Sequence, residues 1–137
     1  MKLTRRRLAR VGLFAVLASL AGCGSDDPPT TDAVRSCVRD LGARLETPSS
    51  GERASWLHPP QARLLGTVQW TEAGRAILYA AGDDGAARQA QRSLTEMVAN
   101  FGVPSEHVRR AGRFVVLLGP ADVPAEDQRD QLLDCLD

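Results

Sequence analysis

The sequence predicts an α+β fold: an N-terminal helix, then two ββα units whose hairpins join in a four-stranded antiparallel sheet, with the helices mainly on one face. Three observations predict it. Val34, Cys37, Val38, Leu41 and Leu45 recur at helical spacing and make one apolar stripe. The stretches 67–98 and 105–136 superimpose at an offset of 38, so that Ala73-Gly74-Arg75 falls on Ala111-Gly112-Arg113 and Leu94 on Leu132. Within each stretch an Ala-Gly pair separates two short strand-like runs, and glycine there supplies the positive φ of a tight hairpin turn.

The first helix is expected from Asp32 to about Glu46, capped by Thr31 or Asp32, with Arg35, Arg39, Asp40 and Arg44 on its polar side. Thr47-Pro48-Ser49-Ser50-Gly51 breaks it. A long irregular stretch follows to about Gly66, and Trp56-Leu57 and Leu64-Leu65 are its apolar residues. In the first unit Val68 and Trp70 alternate before the turn and Ala76 to Ala80 follow it. In the second, Val108 leads into the turn and Phe114 to Leu118 follow it. The unit helices are expected at about Gly85 to Phe101 and at Pro124 to Leu136, with Pro124 in the first helical position. Asp83 and Asp84 read as turn and N-cap. The connectivity looks like a circularly permuted ferredoxin-like domain with an extra helix, a likeness of fold that carries no function.

The second strand of each hairpin is apolar on both faces. Ala76, Leu78 and Ala80 alternate with Ile77, Tyr79 and Ala81, and Phe114, Val116 and Leu118 with Val115 and Leu117. Such strands need cover on both sides. If the helices sit on one face, the other is covered by the segment from Trp56 to Leu65, or by a partner or apolar ligand.

The N-terminus has a different composition. Residues 1–10 carry Lys2, Arg5, Arg6, Arg7 and Arg10 and no acid, and the next ten are apolar apart from Gly12 and Ser19. That order is the order of a secretory signal, and an apolar run of ten is about half of what a spanning helix needs. Leu20-Ala21-Gly22-Cys23 follows, one large aliphatic residue, two small ones and a cysteine. It resembles the lipobox of bacterial lipoproteins. The resemblance implies a diacylglyceryl group on the Cys23 thiol, fatty acylation, and cleavage before Cys23. Residues 1–22 would be the signal peptide, 23–31 a disordered tether rich in Asp, Pro and Thr, and 32–137 a single domain. The chain would lie at the extracytoplasmic side of the cell membrane, held by lipid without spanning it. Thr4-Arg5-Arg6-Arg7-Leu8 also resembles a twin-arginine export signal, with Ala9 a departure; the export route stays open between that and the general one.

With Cys23 acylated, Cys37 and Cys135 remain. Two cysteines in an exported chain of this size pair, or stay as buried thiols; pairing is the expectation. From Cys23 on, twelve basic residues stand against seventeen acids, a net charge of −5. That argues against nucleic acid as a partner and against an electrostatic grip on anionic lipid.

Catalytic spacing is hard to find. There is no phosphate loop and no Gly-x-Ser-x-Gly elbow, and His58 and His107 have no metal-ligand spacing. No cofactor or metal is expected, and an enzyme is not the favoured reading. The candidate interaction residues are Trp56, Trp70, Tyr79, Arg109, Arg110 and Arg113. The three arginines form a basic patch for an acidic partner, or merely guard an edge strand against aggregation. The expectation is a binding module of the bacterial cell envelope with a protein partner there. The alternative is a small envelope enzyme or ligand carrier with a pocket near Trp56 and Tyr79, with His58 beside it.

Overall fold

A computed structural model of the chain describes residues 29–48, 50, 57–119 and 121–137. The lipobox with Cys23, and Trp56, lie outside these residues. The elements are α1 (Thr31–Asp40), β1 (Ala43–Glu46), β2 (Ala62–Trp70), β3 (Arg75–Ala81), α2 (Asp84–Ala99), β4 (Val108–Ala111), β5 (Phe114–Leu118) and α3 (Glu126–Leu136), with a short 3-10 turn at Ser105–His107. The fold is α+β, and the sheet has five strands rather than four, in the order β1-β2-β3-β5-β4, every neighbouring pair antiparallel.

The fifth strand comes out of the first helix as the sequence was read. Thr30 caps α1, its hydroxyl accepting from Ala33 N at 3.2 Å. The helix stops at Asp40 because Gly42 takes φ +76°, the left-handed conformation that ends helices. Beyond it Ala43 and Leu45 are buried while Arg44 and Glu46 are exposed, the period of two that marks a strand. Leu45 thus matches a helical stripe by spacing yet reaches the core from a strand. β1 then pairs with β2, and the crossing is tight: a Cβ on Gly66 would collide with Glu46 O. Leu65 is the extra residue of a bulge between Leu64 and Gly66, and ordinary strand alternation puts Leu64 in the layer of α2 and Leu65 in the layer of α1 and α3.

The helices lie on both faces, against the expectation of one. Val34 and Val38 of α1 and Leu132 and Leu136 of α3 pack with Ala76, Leu78, Ala80, Phe114, Val116 and Leu118. Ala87, Ala90, Leu94 and Val98 of α2 pack with Tyr79, Ala81, Val115 and Leu117 on the reverse. The physical reason is connection. α2 must carry the chain from β3 over β5 to β4 at the far edge, and it crosses one face in doing so. α3 leaves β5, which runs opposite to β3, and fills the place beside α1. A rotation exchanging the antiparallel strands β3 and β5 would keep both unit helices on one face, so the 38-residue offset is a likeness of pattern and not of architecture. The turns differ too. Thr71 to Gly74 join the first pair of strands by four residues, where two were expected, and Gly112-Arg113 join the second by two. Both glycines have positive φ as expected. α3 begins at Glu126 with Ala125 as N-cap, two residues after the expected Pro124.

Cys37 and Cys135 form a disulfide, Cα to Cα 5.8 Å, across 98 residues. It ties α1 to α3 at the layer they share. Every residue of the two cores lies between Val34 and Leu136, so the chain from residue 23 onward holds the whole described fold. The bridge closes a loop worth about 4–5 kcal/mol in the chain-entropy picture. Denatured, unreduced protein is expected to take no thiol label at either cysteine. The Cys37→Ala/Cys135→Ala pair is expected to lose about 4–5 kcal/mol in denaturant unfolding, and a loss below about 1 kcal/mol would show that the bridge constrains little.

Candidate functional site

A cleft of about 400 Å3 opens at the Arg75 end of β3, on the face that α2 covers. Its lining is almost wholly apolar, with Leu57, Ile77, Val98, Phe101, Val103 and Leu117 among the contributors. Four separate stretches supply these walls. Ile77 and Leu117 are cross-strand partners on β3 and β5. Val98 closes the last turn of α2, and Phe101 and Val103 follow on the descending loop, where Val103 N returns to Val98 O at 3.2 Å. Leu57 enters from before β2.

The floor is fixed by hydrogen bonds between the loop after β5 and the β2–β3 turn. Gly119 N donates to Arg75 O at 2.8 Å, Arg75 N to Asp122 O at 2.7 Å, and Gly74 N to Asp122 Oδ2 at 3.0 Å. All three donors are backbone amides; two donate to backbone carbonyls and the third to the Asp122 carboxylate, so the chain path and one side chain hold the floor together.

Tyr79 lies at the inner end, fully buried, and its hydroxyl donates to Leu57 O at 2.8 Å. Burial pushes its pKa well above the ordinary tyrosine value of 10.0, so the phenol stays protonated and serves as a donor, not as a base. Among the described residues that line the cleft, Arg75 and Tyr79 are the ionisable ones, and none is a carboxylate or an imidazole. Among the described residues there is also no group of three His, Cys, Asp or Glu that could hold a metal ion.

The outer rim is unusual. Phe101 is 73 % exposed and Val123 41 %, the two large apolar side chains that stand out in solvent among the described residues. Phe101 lines the cleft directly, and Val123 packs beside Gly119 on its floor. Neither was singled out by sequence. Phe101 was read as the end of a buried helical face, but α2 stops at Ala99 and leaves it on the turn outside.

The other sequence candidates disperse. Trp70 is a core residue on the opposite face, 4 % exposed and packed with α1 and α3, and has no part in the cleft. Arg109 and Arg110 are exposed on β4, an edge strand, and bond to nearby backbone, Arg109 Nε to Glu106 O and Arg110 Nη1 to Gly112 O. Arg113 sits apart from both, half-buried, with its guanidinium 5.1 Å from the Phe114 ring and Nη2 donating to Pro29 O. Asp83 does cap α2, its Oδ1 accepting from Ala86 N at 2.7 Å. His58 is exposed and outside the cleft lining. The segment expected over the second face contributes Leu57, Ala62 and Leu64 to it, but α2 is the main cover. No protein-family model, curated protein or solved structure matches the chain.

Tyr79 is the sole tyrosine and Lys2 the sole lysine, so the alkaline titration of the folded domain is simple. A raised phenol pKa means that the unfolded state releases its proton first. Stability is therefore whole below pH 10 and falls as pH rises above it. Tyrosinate absorbance is expected to stay flat past pH 10 and to rise only with unfolding, while Tyr79→Phe removes the pH slope and costs about 1 kcal/mol at neutral pH. Ordinary titration centred at pH 10 in the folded protein would contradict this burial.

Proposed function

We propose that the chain is an exported bacterial lipoprotein, fixed by fatty acyl chains on Cys23 to the extracytoplasmic side of the cell membrane, and that its domain is a binding module of the cell envelope. The observation that carries the binding half is the cleft with its exposed rim. Isolated exposed apolar residues are ordinary, but here Phe101 and Val123 border one concave apolar surface, and such continuity marks interaction sites. The occupant is an apolar side chain or two from an envelope protein, entering beside Phe101. A catalytic reading finds less support, because the cleft offers a protonated phenol and a guanidinium but no base.

The anchor half rests on the lipobox and on cysteine pairing. Three cysteines divide into one lipid site and one bridge, and the Cys37–Cys135 disulfide suits a chain that matures outside the cytoplasm. No helix among the described residues is long and apolar enough to cross a membrane.

Mass spectrometry of the membrane-extracted protein is expected to find Cys23 as the first residue, carrying diacylglycerol, with Cys23→Ser accumulating as uncleaved precursor. An unmodified Cys23, or cleavage elsewhere, removes the anchor.

For the cleft, a photo-crosslinking residue in place of Phe101 is expected to capture one discrete envelope protein in living cells, while the same residue at Arg88, on the exposed side of α2, captures none. Phe101→Asp is expected to weaken that complex about 30-fold, as loss of an aromatic anchor does, without lowering the melting temperature. A small molecule seen bound in native mass spectrometry and displaced by Phe101→Asp would instead make the domain a ligand carrier, since the volume also suits one.

A further inference from the structure

The opposite end of the sheet carries a second concavity of different chemistry. Arg63, Arg113, Ala80, Ala81 and Gly82 line a notch of about 420 Å3 with Pro60 and Gln61. Arg63 pairs with Ala80 on one side and Phe114 pairs with Ala80 on the other, so Arg63 and Phe114 share a face. The Arg113 guanidinium lies over that same Phe114 ring. Two arginines from β2 and the start of β5, strands about 10 Å apart, thus flank one notch.

Neither arginine has a carboxylate partner among the described residues. Arg113 Nε is moreover buried with no hydrogen-bond partner. A nearby acid, Asp83, already accepts from the N-terminus of α2. Guanidinium forks of this kind match the oxygens of a phosphate.

The place of the notch suggests which phosphate. Arg113 Nη2 holds Pro29 O at 3.3 Å, so the chain leaves the domain at this end. Cys23 is six residues further back, at most about 20 Å of extended chain. A lipid on Cys23 therefore tethers this end of the domain within about 20 Å of the membrane surface. The seven residues of β3 separate the two sites by about 20 Å.

We propose that the notch between Arg63 and Arg113 binds the phosphate of an anionic phospholipid headgroup in the membrane that holds the chain, and so turns the apolar cleft away from that membrane. This rests on the lipid-anchor reading. The net charge of −5 does not oppose it, because a local pair of guanidiniums acts within a Debye length while the rest of the domain is screened.

The test uses the chain from residue 23 with Cys23→Ser, which carries the whole fold and no lipid, so its result is independent of whether Cys23 is acylated. Flotation with phosphatidylcholine vesicles, with and without one-third phosphatidylglycerol, is expected to show binding to the anionic vesicles alone. Arg63→Gln, at an exposed position, is expected to weaken it about fivefold at unchanged melting temperature, and the Arg63→Gln/Arg113→Gln pair about 25-fold. Arg109→Gln/Arg110→Gln, on the same hairpin, is expected to leave binding within about twofold. Equal binding to both vesicles, or an equal loss from both arginine pairs, would overturn the notch as the site. Loss of vesicle binding on adding inorganic phosphate at the headgroup concentration would assign it to free phosphate and overturn the lipid. If the double variant does not fold, Arg63→Gln alone decides between these outcomes.

Discussion

The fold depends on one constraint: the adjacent strands β3 and β5 are apolar on both sides. Ala76, Leu78, Ala80, Phe114, Val116 and Leu118 face α1 and α3, and Ile77, Tyr79, Ala81, Val115 and Leu117 face α2. A strand pair of this composition cannot leave either face in water. Each other element follows from that. β2 and β4 shield the edges of the pair, β1 extends the sheet beneath α1, and three helices supply the two outer layers. Ala87 and Ala90 are fully buried where α2 meets the sheet, and their small side chains let the helix come close to the bulky Tyr79 and Leu117.

This constraint was legible in the sequence, because alternation with no polar member needs no alignment to see. So were a helix opening near Asp32, though Thr30 and not Thr31 or Asp32 caps it, the turn and cap at Asp83-Asp84, both strand pairs with their glycine turns, and the pairing of Cys37 with Cys135. The layer each helix occupies was not legible. It is set by how a crossover reaches β4 on the far side of β5, a property of strand order that residue types do not encode. β1 was hidden because Leu45 satisfies a helical period as well as a strand period over so few residues, and Gly42 between them was passed over as a stop.

The cleft was less legible than the fold, for a reason of geometry. Its walls come from Leu57, from β3 and β5, from the end of α2 and from the loop at Val103, four stretches with no common motif. Tyr79, marked by residue type, lines the inner end of the cleft, whereas Trp70, marked in the same way, packs on the other face. Phe101 was missed because its neighbours made it look like the last turn of a helix. A shift of two residues in where α2 ends, from Phe101 to Ala99, leaves that ring on the rim and not in the core.

The disulfide has a mechanical consequence. For a domain held at one end by a membrane and gripped at its cleft by a partner, tension enters through Pro29 and the first turns of α1. At Cys37 it meets the covalent link to Cys135. From there the load divides between two arms of chain, one running forward from Cys37 through β1 and β2, the other backward from Cys135 through α3 to β5. The arms meet at β3 and β5, where Ile77 and Leu117 line the gripped surface together. Extension ahead of the bridge is limited to the residues before Cys37. Such a domain acts as a shackle: a closed ring of chain that stays closed while either neighbour moves.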